Sequence, residues 1–402
     1  MNKDLSSREE WRRSWTVVLA AFMGVSLFAL PIYSFGVFLL PVATEFGWSN
    51  SQTAASITIV SFMLALLSPF GGRLIDAYGS RRIGLTGVTV LCSAFGLLSL
   101  TPNNVVVWWV LWCLVGIGMI LVSPMIWTAP VVSRFVVSRG LALAVTFSGI
   151  GVGTMLAPLI CNALIEKIGW RDAYACVGAI WFVAVAPVLW LLLPKFVDGP
   201  SRTAHARLNR LVFSPAFAKL ALSSALTIFA VGAMVVYFVP ILMARSLPSR
   251  EAAIAASIIG VASITGRLIT GLLLDRFPPR AIGAVMFLLP AFTALALLFF
   301  DGSFPMAVGC AAVFGLAIGA EIDIAGFLVS SYFGVANYGV LFGVIIGLNA
   351  LGNGLGPLFG GVLHDVFASY DPLLIAIVPV SFVASLLIAT LPANLSNEGL
   401  VT

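Results

Sequence analysis

The stretch Gly72-Arg73-Leu74-Ile75-Asp76-Ala77-Tyr78-Gly79-Ser80-Arg81-Arg82 returns later in the chain as Gly271-Leu272-Leu273-Leu274-Asp275-Arg276-Phe277-Pro278-Pro279-Arg280. Gly72 and Gly271, like Asp76 and Asp275, stand 199 residues apart. Gly140 and Gly339, Gly153 and Gly352, Pro158 and Pro357, and Glu166 and Asp365 keep the same spacing. Six agreements at one offset are not expected by chance, so the chain reads as two copies of one unit. The flanking sequence says what that unit is. Of 402 residues 60% are hydrophobic and 9% charged, with a mean hydropathy of +1.09. A soluble chain carries about a quarter charged residues and could not dissolve with so few. Crossing a bilayer takes about 20 consecutive apolar residues. On that ruler there are twelve spans, centred near residues 28, 62, 92, 118, 152, 182, 229, 262, 290, 318, 348 and 381. The runs are continuous rather than alternating, which excludes a barrel. The expected fold is an all-α membrane protein of twelve transmembrane helices in two six-helix bundles.

Residues 195–214 form the longest polar stretch between spans, with Arg202, His205, Arg207 and Arg210. They divide the chain into an N-terminal bundle (1–194), a cytoplasmic linker (195–214) and a C-terminal bundle (215–402). The net charge of +5 reflects topology and not nucleic-acid binding. With a cytoplasmic N-terminus, 16 of the 21 basic residues fall on inside segments and 4 on outside loops, so N-in and C-in follows. Trp108, Trp109 and Trp112 at the outer start of the fourth span are expected to form an interfacial belt. Cys92, Cys113, Cys161, Cys176 and Cys310 all lie in apolar spans without metal or redox spacing, and read as small core residues. No cleavable signal, metal or cofactor is expected.

The Gly72–Arg82 run resembles the signature of the major facilitator superfamily between its second and third helices, and the resemblance extends over essentially the whole chain. It implies the two-bundle fold and alternating access. A small residue allows close helix approach, and Asp76 with Arg81 and Arg82, and Asp275 with Arg276 and Arg280, would form breakable ion-pair gates. A narrower resemblance lies in Arg134-Phe135, Arg139-Gly140-Leu141-Ala142 and Gly149-Ile150-Gly151-Val152-Gly153, which is similar to the second signature of the monocarboxylate porter family. The acidic-Gly-Gly-Trp run expected before the first helix of that family is absent, as is a lysine in the first helix. This suggests a bacterial relative in the inner membrane.

Three charges lie deep in spans: Arg267 in the eighth, Glu321 and Asp323 in the tenth. Each costs about 2.5–3.5 kcal/mol at a helix centre on insertion scales, so each needs a partner or a cavity. Gly260, Ser263, Arg267, Thr270 and Gly271 make one small-polar stripe, and Gly315, Gly319, Asp323, Gly326 and Ser330 another. Glu321 is two residues from Asp323, about 200° around a helix. Asp323 is therefore expected to face Arg267, and Glu321 to face Phe314, Ala325 and Leu328. A planar guanidinium suits a substrate carboxylate, and the porter resemblance implies the same anion anchor at Arg267. Neither histidine is placed to carry a proton across, so coupling falls to a carboxylate, Asp323 first and Glu321 second. A static ion pair joining the two spans is the alternative.

Tyr33, Ser123, Trp127, Phe147, Tyr237, Asn349 and Asn353 are further candidates to line a substrate pocket. No nucleophile–base or metal arrangement points to an enzyme. The expected function is proton-coupled symport of a small organic monocarboxylate by a monomer in the bilayer; anion exchange and proton-coupled efflux antiport are the alternatives.

Overall fold

A computed structural model describes residues 6–48, 50–193 and 211–392. Most of the 195–214 linker thus lies outside the described residues, and the side chains of Asp76, Pro158 and Asp365 are likewise not described. Among the described residues, twelve helices are long and apolar enough to cross a membrane. They are α1 (Ser7–Phe46), α2 (Asn50–Tyr78), α3 (Ser80–Leu97), α4 (Val105–Arg134), α5 (139–168), α6 (170–192), α7 (Pro215–Ala244), α8 (Ser249–Leu274), α9 (Pro279–Leu298), α10 (Phe304–Phe333), α11 (Tyr338–Phe367) and α12 (Asp371–Ala389). No strand occurs among the described residues. The boundary between α5 and α6 is a single residue, Gly169, whose φ of 80° and ψ of 164° no helix accommodates and a side chain would resist.

The chain divides by contact into two compact units. The first comprises Met1–Ser138, Val145–Ser201 and Val335–Gly343; the second comprises Arg139–Ala144, Arg202–Gly334 and Val344–Thr402.

In the first unit α4 is interrupted at Val122–Ser123, and the cause is Pro124. Proline has no N–H to give the Ile120 carbonyl. The Ser123 hydroxyl donates to that carbonyl instead, at 2.7 Å, and the Trp127 indole N–H donates to the Val122 carbonyl at 2.7 Å. The Trp127 ring is fully buried between α1 and α3, where a Cβ on Gly84 would come within 2.6 Å of it. Ser123 and Trp127 were expected to line a pocket; both are spent on repairing a broken helix.

The tryptophans of α4 also differ from expectation. Trp108 and Trp112 are fully buried, not interfacial. Trp108 donates to the Thr53 carbonyl at 3.2 Å and meets Trp112 edge to face, while Tyr174 stacks on Phe38 at 3.7 Å between centroids. An aromatic core of this kind joins α1, α3, α4 and α6. Only Trp109 keeps a partly exposed place, its N–H on the Gln52 carbonyl.

In the second unit the closest pairs are α8 with α10 and α9 with α12. Without a hydrophobic drive between helices in lipid, backbones approach where side chains are small. A Cβ on Gly319 would collide with the Ser263 carbonyl oxygen, and one on Gly315 would sit 2.6 Å from the Ile259 carbonyl. Of the two small-residue stripes read from the sequence, Ser263 and Arg267 on α8 and Gly315 and Gly319 on α10 lie where these helices meet, while Gly260 has open space beyond it and Gly271 packs against Gly140 and Ala144.

Each unit is clasped by an ion pair of opposite sense. In the first, Glu45 after the apolar part of α1 accepts from Arg171 at 2.8 Å, and Arg171 also donates to the carbonyls of Ser99 and Thr101 at 2.9 Å. In the second, Arg245 at the end of α7 pairs with Asp371 and donates to the Leu298 carbonyl at 3.0 Å. The base and the acid have exchanged places between the repeats.

Candidate functional site

Arg267 on α8 is 9% exposed, Asp323 on α10 is fully buried, and Glu321 is 4% exposed. All three belong to the second unit. The Arg267 Nη1 to Asp323 Oδ1 distance is 3.6 Å. That is an ion contact, but too long for a hydrogen bond. The approach is set by backbone: a Cβ on Gly319 would stand 2.9 Å from the Arg267 amide nitrogen, so α8 and α10 run in contact where the pair forms.

Glu321 faces elsewhere, as its helical phase requires, but not toward an apolar wall. The Asn349 side-chain amide on α11 donates to Glu321 Oε1 at 2.8 Å. Ser224 Oγ on α7 lies 3.1 Å from the same oxygen and 3.0 Å from Asn349 Oδ1. The site is therefore one cation and two carboxylates on α8 and α10, with a hydroxyl and an amide from α7 and α11 closing on the second acid. Burying a charge without such partners costs several kcal/mol.

Asn349 was expected at a pocket wall and instead serves Glu321. Ser224 was missed. It is one serine among many in apolar spans, and no charge or spacing marks it.

The other predicted residues scatter. Tyr33 on α1 is exposed. Phe147 on α5 is fully buried, in edge contact with Phe342 in the first unit. The Tyr237 hydroxyl donates to the Pro357 carbonyl at 3.0 Å, which ties α7 to α11 through helix packing. Asn353 is exposed, its side-chain oxygen 2.9 Å from where a Gly232 Cβ would lie.

At the gate positions, Asp275 accepts from the backbone N–H groups of Gly140 and Leu141 at 2.6 and 3.0 Å. An anion at a helix start meets the positive end of the helix dipole. The expected partners do other work: Arg276 is exposed and Arg280 donates to the Leu391 carbonyl at 3.3 Å. Arg81 donates to the Trp190 carbonyl, and Arg82 is exposed. Another acid that sequence reading passed over, Glu10, is 4% exposed and accepts from three successive backbone N–H groups, those of Val136, Val137 and Ser138, at 2.9–3.0 Å.

No cluster of three or more His, Cys, Asp or Glu side chains among the described residues is disposed to hold a metal. A sequence profile of the Major Facilitator Superfamily matches residues 17–343, and in a second match 220–398. The chain belongs to the major facilitator superfamily. Its members are transporters, not enzymes, and with twelve spans this one is a multi-pass membrane protein. Among its relatives is human monocarboxylate transporter 11, 27% identical over 378 residues, which cover 87% of this chain and 77% of that protein. The uncharacterized MFS-type transporter YcxA of Bacillus subtilis is 26% identical over 398 residues, 92% of this chain and 93% of that one. In fold, the chain is similar to the E. coli fucose:proton symporter FucP, with a TM-score of 0.75 at 14% identity, covering 93% of this chain and 98% of that one. It is similarly close to the human organic anion transporter MFSD10, with a TM-score of 0.71 at 17% identity, covering 93% and 99%.

Proposed function

We propose that this superfamily member is a proton-coupled symporter of a small monocarboxylate, working by alternating access as a monomer in a bacterial inner membrane. The observation that carries the reading is the buried Arg267–Asp323 pair at 3.6 Å. An ion contact of this length to Asp323 can be exchanged for a substrate carboxylate, which binds a guanidinium with two parallel hydrogen bonds. Protonating Asp323 removes its charge and releases Arg267 to the substrate anion. Loaded and empty sites then carry the same net charge, and both forms can change conformation across a low-dielectric membrane. Among the described residues Arg267 is the one basic side chain deep in a span, which matches a substrate with one carboxylate. The likeness to monocarboxylate transporters points the same way. Asp275, held by the Gly140 and Leu141 N–H groups, is assigned to the conformational change.

The test is uptake by proteoliposomes of a panel of aliphatic and aromatic monocarboxylates, with and without an inward proton gradient. Wild type is expected to accumulate at least one member of the panel under the gradient. Arg267→Ala is expected to lose about 2–5 kcal/mol of anion binding, roughly 30-fold or more. Asp323→Asn is expected to retain binding and lose the response to the gradient. Uptake that ignores the gradient, or an Arg267→Ala variant equal to wild type, would reject this reading in favour of exchange or efflux.

A further inference from the structure

Ser224 Oγ, Glu321 Oε1 and the Asn349 side-chain amide close a triangle of three polar contacts, at 2.8, 3.0 and 3.1 Å. The triangle is fully bonded only with one proton lying along each edge, since a single hydroxyl hydrogen shared between two acceptors serves each of them weakly. Asn349 supplies one proton and Ser224, with a single hydroxyl hydrogen, supplies one more. The third must come from Glu321. The count does not depend on which way the Asn349 amide is turned. With its nitrogen toward Glu321, the unserved edge is Ser224–Glu321. With its oxygen toward Glu321, the unserved edge is Asn349–Glu321. In both cases the missing proton sits on Glu321 Oε1.

Charge is consistent with this count, since one cation against two buried acids leaves one acid neutral. The helices packed around α10 within the unit are α7, α8 and α9, and α11 reaches it through Asn349. Among the described residues, the charged groups they and α10 itself bring to this depth are Arg267, Asp323 and Glu321. Arg267 and Asp323 cancel in their contact. An ionised Glu321 would leave a net negative charge buried with no cation of its own, and a neutral one leaves none.

We propose that Glu321 is a neutral carboxylic acid in this state, donating its Oε1 proton into the Ser224–Asn349 pair, and that it holds this proton throughout while Asp323 exchanges the transported one. The second clause rests on the symport reading above; the first does not. Glu321 is then a positioning residue that ties α7, α10 and α11 together around the site and keeps the buried charge balanced. It adds no proton to the stoichiometry.

Infrared spectroscopy of the purified protein in lipid at neutral pH reads the first clause directly, through the C=O stretch of a protonated carboxylic acid. The band is expected in wild type, shifted in heavy water and absent from Glu321→Gln. Ser224→Ala keeps the acid but removes one of its neighbours, so the band should persist at an altered frequency. That variant decides the matter should Glu321→Gln fold poorly. Absence of the band in wild type, its survival in Glu321→Gln, or an unmoved frequency in Ser224→Ala would overturn the assignment.

Transport reads the second clause. A glutamine keeps a donor and an acceptor but has no titratable proton, so in Glu321→Gln the ratio of uptake with the gradient to uptake without it is expected to match wild type, whatever the absolute rate. Glu321→Ala strands Ser224 and Asn349 and is expected to lose about tenfold or more. A Glu321→Gln carrier that moves substrate without responding to the gradient would make Glu321 the exchanging acid and overturn that clause. Should wild type itself show no gradient-driven uptake, the symport reading and this clause fail together, and the infrared result still decides where the buried proton lies.

Discussion

Glu45 hands its carboxylate to the Arg171 guanidinium at 2.8 Å and accepts a second bond from the Trp170 indole. The Arg171 hydrogen bond is the largest cause holding this carboxyl below its ordinary value near 4.5; burial opposes it, and Trp170 assists. A group whose pKa is lower in the folded state stabilises the fold above its unfolded value, and that stability is lost as the pH falls through the folded value. The melting temperature of Glu45→Gln in detergent should therefore lie below wild type at neutral pH. The gap should close as the pH drops below about 4.5, and a gap independent of pH would count against the ion pair. The Glu45 side chain is 43% exposed, so the effect is modest. Single residues differ in how far they announce themselves in sequence. Arg267, Glu321 and Asp323 are legible because a charge in an apolar run must be accounted for. Ser224 is not legible, because a hydroxyl in a span is ordinary. Ser123 and Trp127 were misread for a related reason: their polar atoms do need partners, but those partners are carbonyls released by Pro124, and no pattern reveals that without the chain path.

Helices meet here on glycine. The α8–α10 contact depends on Gly315 and Gly319, whereas Gly309 on the same helix α10 has open space beyond it. Overpacking a tight contact costs about 1–3 kcal/mol. Gly319→Leu is expected to lower the melting temperature and with it Arg267-dependent uptake, while Gly309→Leu leaves both near wild type. Equal effects of the two substitutions would mean that the close approach of α8 and α10 is not what holds the site. The small-residue stripes were visible in the sequence, because three- and four-residue spacing is a property of one helix alone. The role of Trp108 and Trp112 was not, because a tryptophan near a span end serves an interface or a core equally well. Which it does here follows from α1, α3 and α6 converging on it. The exchanged clasps, Glu45–Arg171 and Arg245–Asp371, were also hidden. A repeat that preserves a contact while inverting its charges leaves no matching residues to align.

Across the whole molecule, orientation in the membrane is a prediction of charge placement alone. In a variant lacking the five native cysteines, Lys167→Cys should react with a membrane-impermeant maleimide in intact cells, and Arg82→Cys only after lysis. The reverse pattern would invert the topology. By itself the sequence determined that the chain is a twelve-span helical membrane protein built of two repeats, because apolar length, helical period and a constant offset of 199 residues are one-dimensional quantities. It also determined that Arg267 and the acids of α10 need explaining, because the cost of a buried charge depends on composition and depth. What only the tertiary structure decided is which groups answer that cost. Asp323 meets Arg267 across α8 and α10, and Glu321 meets Ser224 and Asn349, which lie 97 residues before it and 28 after it along the chain. Those partnerships are set by how α7, α8, α10 and α11 pack, and a hydrogen bond depends on distance in space, to which separation along the chain gives no guide.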